Sequence, residues 1–189
     1  MVTFIPETRE PVSGAVGSGG GPPSFDEYVA ARAAALVRFA ALLTGDVHRA
    51  EDLVQDALAK AYLRWPAIRR ADNPDVYVHR LLVNASRRWW RRRTNRELPV
   101  ERTAEQPAPG DLGTESAERD AMRRLIARLP HRQRAVLVLR YYEDLDDATI
   151  AQILDCTPVT VRTHAMRALQ RLRDQYATGA ATGEARSES

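Results

Sequence analysis

The stretch Asp147–Arg173 constrains this chain more than any other: DATIAQILDC is followed by TPVTVRTHAMRALQRLR, two amphipathic segments with a turn between them. Ile150, Ala151 and Leu154 recur at helical spacing in the first, and Val161, Ala165, Leu169 and Leu172 in the second. Each segment is therefore expected to form a helix with one apolar stripe. Thr157 is placed to cap the second helix, and Pro158 suits its first position because the N–H it lacks has no partner there anyway. The other side of that helix carries Thr160, Arg162, Thr163, His164, Arg167, Arg171 and Arg173, and no Asp or Glu occurs from Cys156 to Arg173. This has the form of a DNA-binding helix-turn-helix, whose second helix enters the major groove N-terminus first. The pattern alone does not separate that role from a solvated basic face, so the rest of the chain decides.

A chain of 189 residues can form one domain or two small ones. With 44% hydrophobic and 28% charged residues it has the composition of a globular protein. The net charge is only +3, so the placement of charge matters more than its sum. Lys60 is the sole lysine among 28 Lys and Arg residues, and arginine's planar fork suits phosphate and guanine. A single cysteine, Cys156, excludes an internal disulfide framework and a multi-cysteine zinc site. There is no apolar run of membrane-spanning length and no basic region followed by an apolar one at the N-terminus, so a cytoplasmic protein without membrane association is expected.

Residues 1–23, with GAVGSGGGPP, read as a flexible tail. Ser24-Phe25-Asp26-Glu27 has the form of a capping box opening a helix, with Phe25, Tyr28, Val29, Leu36, Phe39, Ala40 and Leu43 on its buried side and Gly45 as its stop. A second helix is expected from about Asp46, burying Ala50, Leu53, Val54, Ala57, Leu58, Ala61, Tyr62 and Trp65 and ending at Pro66. Its outer face presents Glu51, Asp52, Gln55, Asp56 and Lys60; dipole stabilisation accounts for the first two but not for Gln55 and Asp56. Asn73 and Pro74 look like the cap and first position of a third helix. Its apolar side is Val78, Leu81, Leu82, Ala85 and Trp89, while Tyr77, Arg80, Asn84, Arg87, Arg88 and Arg91 project elsewhere. Arg87–Arg96 reads RRWWRRRTNR, arginines around two tryptophans with no acid, which is what backbone attraction combined with base stacking or wedging requires. Residues 97–115 hold prolines, glycines and acids without a stripe and read as a linker. Helices resume at Ser116, with Met122, Leu125, Ile126 and Leu129 on one face and Val136, Leu137, Leu139 and Tyr142 in the next segment expected in the core. The tail 178–189 is expected to fray. The fold class is thus all-α: two small helical domains, 24–96 and 116–177, joined by a flexible linker, the second a four-helix domain with the helix-turn-helix.

Four motifs in order, AEDLVQDALAKAY, NPDVYVHRLLVNASRRWWRRR, LPHRQRAVLVLRYYEDL and ATIAQILDCTPVTVRTHAMRALQRLR, make the chain resemble the extracytoplasmic-function sigma factors of bacterial RNA polymerase, the minimal members of the sigma-70 superfamily with only the second and fourth sigma domains. The resemblance implies that Asp52, Gln55 and Asp56 dock on the clamp helices of the β′ subunit and that the fourth domain meets the β flap. It implies that Asn73, Tyr77, Arg80, Asn84, Arg87, Arg88, Trp90 and Arg91 engage the promoter −10 element, with Asn84 at the family's base-contacting asparagine; base extraction costs a few kcal/mol, offset by stacking and edge hydrogen bonds. Thr157, Thr160, Arg162, Thr163, His164 and Arg167 would meet the −35 element. Core RNA polymerase, promoter DNA and an anti-sigma factor are the implied partners, and no cofactor or metal is implied.

The chain departs from the family pattern at Asp155, where a turn glycine is usual, and at Val159 and Thr149. Aspartate tolerates the left-handed region better than most residues, so the turn is expected to survive. A stand-alone helix-turn-helix regulator is the rival reading, and it leaves the paired tryptophans in an arginine run without a role. An enzyme is not expected: His48, His79, His131 and His164 are scattered, and there is no HExxH, no Gly-rich phosphate loop and no metal-spaced carboxylate cluster.

Overall fold

The first helix starts where Ser24 and Glu27 exchange hydrogen bonds. The Glu27 N–H donates to the Ser24 hydroxyl at 3.3 Å, and the Ser24 N–H donates to the Glu27 carboxylate at 2.7 Å. This reciprocal cap satisfies two donors that a helix start leaves open. Helix α1 runs from it over Phe25–Thr44 and ends at Gly45, whose φ of 79° lets its N–H return to the Ala41 carbonyl. The computed structural model describes residues 22–70, 73–96 and 121–187, and every regular element among them is helical. After α1 come α2 (Val47–Tyr62), α3 (Trp65–Ile68), α4 (Pro74–Arg96), α5 (residues 121–127), α6 (His131–Leu137), α7 (Asp147–Leu154) and α8 (Pro158–Ser187). A π-helical turn, Val138–Tyr142, extends α6. All but two residues of the expected N-terminal tail, the whole expected linker and the expected helix start at Ser116 lie outside the described residues.

The same capping chemistry recurs. Asp46 accepts from the Arg49 N–H at 3.0 Å to start α2, and Asp146 from the Thr149 N–H at 2.8 Å to start α7. Asn73 accepts from the Asp75 N–H at 3.0 Å at the entrance to α4. Asp75 in turn takes hydrogen bonds from Tyr28 at 2.8 Å and Arg32 at 3.1 Å, fixing the start of α4 to α1. Polar side chains thus set the starts of α1, α2, α4 and α7.

The core brings Leu36, Phe39 and Leu43 of α1 against Leu53, Val54 and Ala57 of α2 and Val78, Leu82 and Val83 of α4. It continues without a break into Val136, Leu139, Ile150, Ile153 and Val161 of the C-terminal helices. A smaller cluster around Leu129, Leu137 and Ala168 packs with Leu169 and Leu172 along α8.

Several expectations are corrected. Tyr62 is 61% exposed, because α2 ends there and Trp65 turns into the core from a separate short helix; Pro66 sits in the first turn of α3 instead of closing α2. Tyr142 is 38% exposed, since the π turn swings it off the α6 stripe and toward Arg38. Met122, on α5, is 40% exposed. Conversely, His79 and Ser86 are buried although they lie off the apolar stripe of α4, because the C-terminal helices cover that side. Helix α8 continues past Tyr176 to Ser187, through a segment rich in alanine.

Arg134 joins the two groups of helices. Its guanidinium is buried, donates to the Leu43 carbonyl at the end of α1 at 2.6 Å and to Leu129 at 3.0 Å, also bonds Ala127 at the end of α5, and lies 4.7 Å from the Trp90 ring centroid. Burial lowers its pKa to about 10, so it remains a cation at neutral pH. Nearby, the single Ser86 hydroxyl proton goes to the Val83 carbonyl at 2.9 Å, so in the 2.8 Å contact between Ser86 and His131 the imidazole Nε2–H is the donor. His131 Nδ1 is buried without a partner.

Phe39 is fully buried with its ring edge-on to His79 at 4.6 Å. Phe39→Ala is expected to lower stability by about 3–5 kcal/mol, read as a fall in the urea midpoint with the m value kept. A second expectation concerns acid. Burial first, then the charges of Arg134, Arg87 and Arg132, lower the His131 pKa to about 4, and no carboxylate is among the causes. The neutral imidazole therefore supports the packing fully above the ordinary histidine value of 6.5. That support is lost as pH falls from 6.5 toward 4, since the unfolded chain takes up the proton first. Urea melts at pH 7 and pH 5 should show a larger loss for the native chain than for His131→Gln; equal losses would contradict it.

Candidate nucleic-acid and polymerase surfaces

Three helices carry the residues singled out from the sequence. On α2, Asp52, Gln55 and Asp56 are all exposed and, at spacings of three and four, share one face. Asp52 pairs with Arg49 at 3.0 Å, an i,i+3 contact on the surface. The same line continues through Ala59 to Leu63, which is 80% exposed, so the face passes from acidic to apolar toward the end of α2.

On α4, helical spacing places Tyr77, Arg80, Asn84, Arg87, Arg88 and Arg91 along one side. Arg80, Arg87, Arg88 and Arg91 are exposed, whereas Tyr77 and Asn84 are half-buried. Asn84 lies in a small notch with Val83 and Arg87 from α4, His131, Arg132 and Ala135 from α6, and Leu154 from α7. Arg80 reaches across to the Gln152 backbone carbonyl in α7. Asn73 stands at the α4 cap, its side-chain oxygen occupied by the Asp75 N–H. Trp90 faces protein: its indole N–H donates to the Leu43 carbonyl at 3.1 Å and its ring stacks with Arg134. Trp89 packs edge-on to Trp90 at 4.9 Å, with the Arg49 and Arg93 guanidinium groups 5.9 and 5.5 Å from its centroid. The tryptophan pair is therefore part of a cation–aromatic cluster instead of an open stacking platform.

On the helix-turn-helix, Asp155 takes the left-handed conformation at φ 52° and closes α7, its N–H bonding the Ala151 carbonyl. The Thr160 N–H donates to the Thr157 hydroxyl at 3.2 Å, and the two hydroxyls share a hydrogen bond at 2.9 Å. Thr157 and Thr160 are thus engaged in starting α8. Thr163 donates back to the Val159 carbonyl at 2.9 Å. His164 is half-buried with Nδ1 enclosed, and burial first, then the charges of Arg132 and Arg167, lower its pKa. Arg162 and Arg167 are exposed, and Arg162 stands 3.7 Å from Asp147.

Sequence reading missed two residues of this outer face. Val159 is 62% and Met166 66% exposed, and with Arg162, Thr163 and Arg173 they form one line along α8. The spacing of 159, 162, 163 and 166 was the available signal. Apolar side chains among arginines suit the methyl group that thymine presents in the major groove.

Among the described residues no helix is long and apolar enough to cross a membrane, and no group of three or more His, Cys, Asp or Glu is gathered as a metal site.

Known proteins place the chain in a family. Sigma-70 region 2 matches residues 28–96, and sigma-70 region 4 matches residues 119–172. The RNA polymerase sigma-E factor of Streptomyces coelicolor is 37% identical over 151 residues, which span 80% of this chain and 85% of that protein. The ECF RNA polymerase sigma factor SigE of Mycolicibacterium smegmatis is 30% identical over 176 residues, 90% of this chain and 68% of that protein. Among solved structures, the sigma factor RpoE of Bartonella quintana, in complex with the anti-sigma factor NepR, shares the fold with a TM-score of 0.63 at 22% identity, covering 79% of this chain and 94% of its own. With both regions present in order and relatives at this identity, the chain belongs to the extracytoplasmic-function branch of the sigma-70 family of RNA polymerase sigma factors.

Proposed function

We propose that this sigma factor grips its promoter at two points, through the outer faces of α4 and α8, while the α2 face carrying Asp52, Gln55 and Asp56 docks on core RNA polymerase. The observation that carries this reading is the placement of charge. The six contact positions of α4 and the outer line of α8 are free of acid, whereas α2 presents an acidic, then apolar, face. Phosphates are attracted to the first two and repelled by the third. On α4, Asn84 offers an amide able to pair with a base edge, and Tyr77 a ring able to stack on it; Arg80, Arg87, Arg88 and Arg91 supply backbone attraction. On α8, Arg162 and Thr163 lie nearest base edges and Arg167 nearer phosphate, with Val159 and Met166 suited to thymine methyls. Asn73, Thr157 and Thr160 serve first as caps, and their contact with DNA runs through the helix starts that they hold. The domains are 24–96 and 116–177, and the protein acts in the cytoplasm as a dissociable subunit without chemistry of its own. The Bartonella relative is bound to an anti-sigma factor, so a protein inhibitor is the corresponding partner to seek for this chain.

The test mixes the full chain with core polymerase and supercoiled genomic or plasmid DNA and maps transcript starts. New, chain-dependent starts are expected; duplex binding without core binding or new starts would instead favour a stand-alone regulator. Within that assay Asn84→Ala should weaken promoter opening more than duplex binding, and equal loss in both would count against base capture. Arg162→Ala should cost about 1–3 kcal/mol of −35 discrimination if its guanidinium makes a bidentate base contact, measured as competition between matched and altered duplexes.

A further inference from the structure

Asp146 and Asp147 stand side by side where α7 begins and are put to different uses. Asp146 is the cap: its carboxylate accepts from the Thr149 N–H at 2.8 Å and from the Thr149 hydroxyl at 3.2 Å. Asp147 faces across the helix-turn-helix instead. One of its oxygens takes a hydrogen bond from Arg140 in the π turn, and the other stands 3.7 Å from Nη1 of Arg162 on α8. The fold thus brings a carboxylate to the edge of a reading face that has no acid of its own from Cys156 to Arg173. The Arg162 side chain is 60% exposed and that of Asp147 26%, so the carboxylate backs the guanidinium and does not cover it. At 3.7 Å the pair is beyond hydrogen-bond length, and the charge of Asp147 orients Arg162 without taking up its N–H donors.

The neighbours of Arg162 have fewer donors to offer a base. The Thr163 hydroxyl proton goes to the Val159 carbonyl, and the Thr157 and Thr160 hydroxyls are bonded to each other. Val159 and Met166 carry no side-chain donor. Hydrogen-bond discrimination by the start of α8 therefore falls chiefly on Arg162, and on how firmly its planar fork is held.

We infer that Asp147 is a positioning residue for −35 recognition: it holds the Arg162 guanidinium toward a guanine edge and, as a negative charge beside the groove, opposes contact with phosphate. The inference rests on the base-reading role proposed above for Arg162. An unrestrained arginine swings to the nearest phosphate, which raises affinity for every sequence and lowers the preference for one. Specificity is a difference of affinities, and a fixed acid that penalises the general contact widens it. An acid that only joined the α6 extension to α7 and α8 would, once removed, weaken all binding together.

Asp147→Asn keeps the size of the side chain and an acceptor for Arg140 while removing the charge. Asp147→Ser is a second variant, and thermal melting checks that each is folded. Holoenzyme assembled from the full chain and core polymerase is offered a promoter duplex mapped by transcription. Its competitor is the same duplex with each G·C pair of the −35 element replaced by A·T in turn. The full chain alone is titrated with random-sequence duplex by fluorescence anisotropy. Both substitutions are repeated in an Arg162→Ala background to complete a double-mutant cycle.

Preference for the matched duplex is expected to fall about fivefold in Asp147→Asn, and affinity for random-sequence duplex to rise about twofold. The fall in preference should vanish once Arg162 is absent. Unchanged preference in the folded variants overturns the inference. So does an equal fall in the Arg162→Ala background, or a parallel loss on matched, altered and random duplexes, since either marks a purely structural effect. A native chain with no preference between matched and altered duplexes removes the reading role of Arg162 beneath the inference. A native preference that both variants keep removes the positioning role alone.

Discussion

A buried arginine holds this molecule together. Among the described residues Arg134 has no carboxylate as a hydrogen-bond partner; its charge is met by the carbonyls of Leu43, Ala127 and Leu129 and by the Trp90 ring. Leu43 and Ala127 lie in the last turns of α1 and α5, where unpaired carbonyls gather the negative ends of two helix dipoles. The last turn of α1 carries no basic residue of its own, so α6 supplies the missing cation from 91 residues away in the chain. Trp90 donates to the same Leu43 carbonyl, so one acceptor ties together the end of α1, the arginine-rich end of α4 and the body of α6. Removal of the guanidinium would leave the Leu43 carbonyl to Trp90 alone and take a donor from the Ala127 and Leu129 carbonyls, and an unsatisfied buried polar group costs about 1–3 kcal/mol.

From that joint the path to the DNA-reading helix runs through the π turn at Val138–Tyr142. A π turn takes up an extra residue and so rotates the chain beyond it. Here it directs Tyr142 toward Arg38 and Glu143 toward His79 and Arg32, and it brings Arg140 to Asp147 in the first turn of α7. Asp147 also faces Arg162, so one carboxylate aligns the α6 extension, α7 and α8. Two aspartates, Asp144 and Asp155, hold left-handed turns at φ 52° on either side of α7. Each has its Cβ in a crowded conformation that glycine adopts without strain, a local cost sustained by the packing of Ile150, Ile153 and Val161 around it.

Local signals were read well from the sequence. The Ser24–Glu27 box, the Asn73 and Thr157 caps, the left-handed Asp155 and the stripes of α1, α2 and α8 are all governed by residues within a turn of one another, and periodicity reports such relations directly. Errors fell where a helix ended or changed type. Tyr62 continues the α2 stripe on paper, yet the helix stops there, and Tyr142 is displaced by a π turn that no spacing rule announces. The burial of His79 and Ser86, and the engagement of Trp90, arise from contacts between segments 45 to 91 positions apart. A single sequence carries no pattern for those. The arginine run likewise looked like one surface, but Trp90 within it belongs to the protein's own joint while Arg87, Arg88 and Arg91 remain exposed.

That division lets one helix pack against the protein and still present arginines to solvent. Arg80 and Arg134 meet backbone carbonyls, which satisfy N–H donors but bring no counter-charge: Arg80 ends on Gln152, and Arg134 on Leu43, Ala127 and Leu129. A phosphate offers the same hydrogen-bond geometry together with a full negative charge, and charge-assisted bonds are about twice as strong as neutral ones. On the proposed function Arg87, Arg88 and Arg91, all exposed, are placed to attract a phosphate backbone to the end of α4. Of Arg80 and Arg134, Arg80 alone is also a proposed nucleic-acid contact, so on that proposal the Gln152 carbonyl and a phosphate compete for one guanidinium.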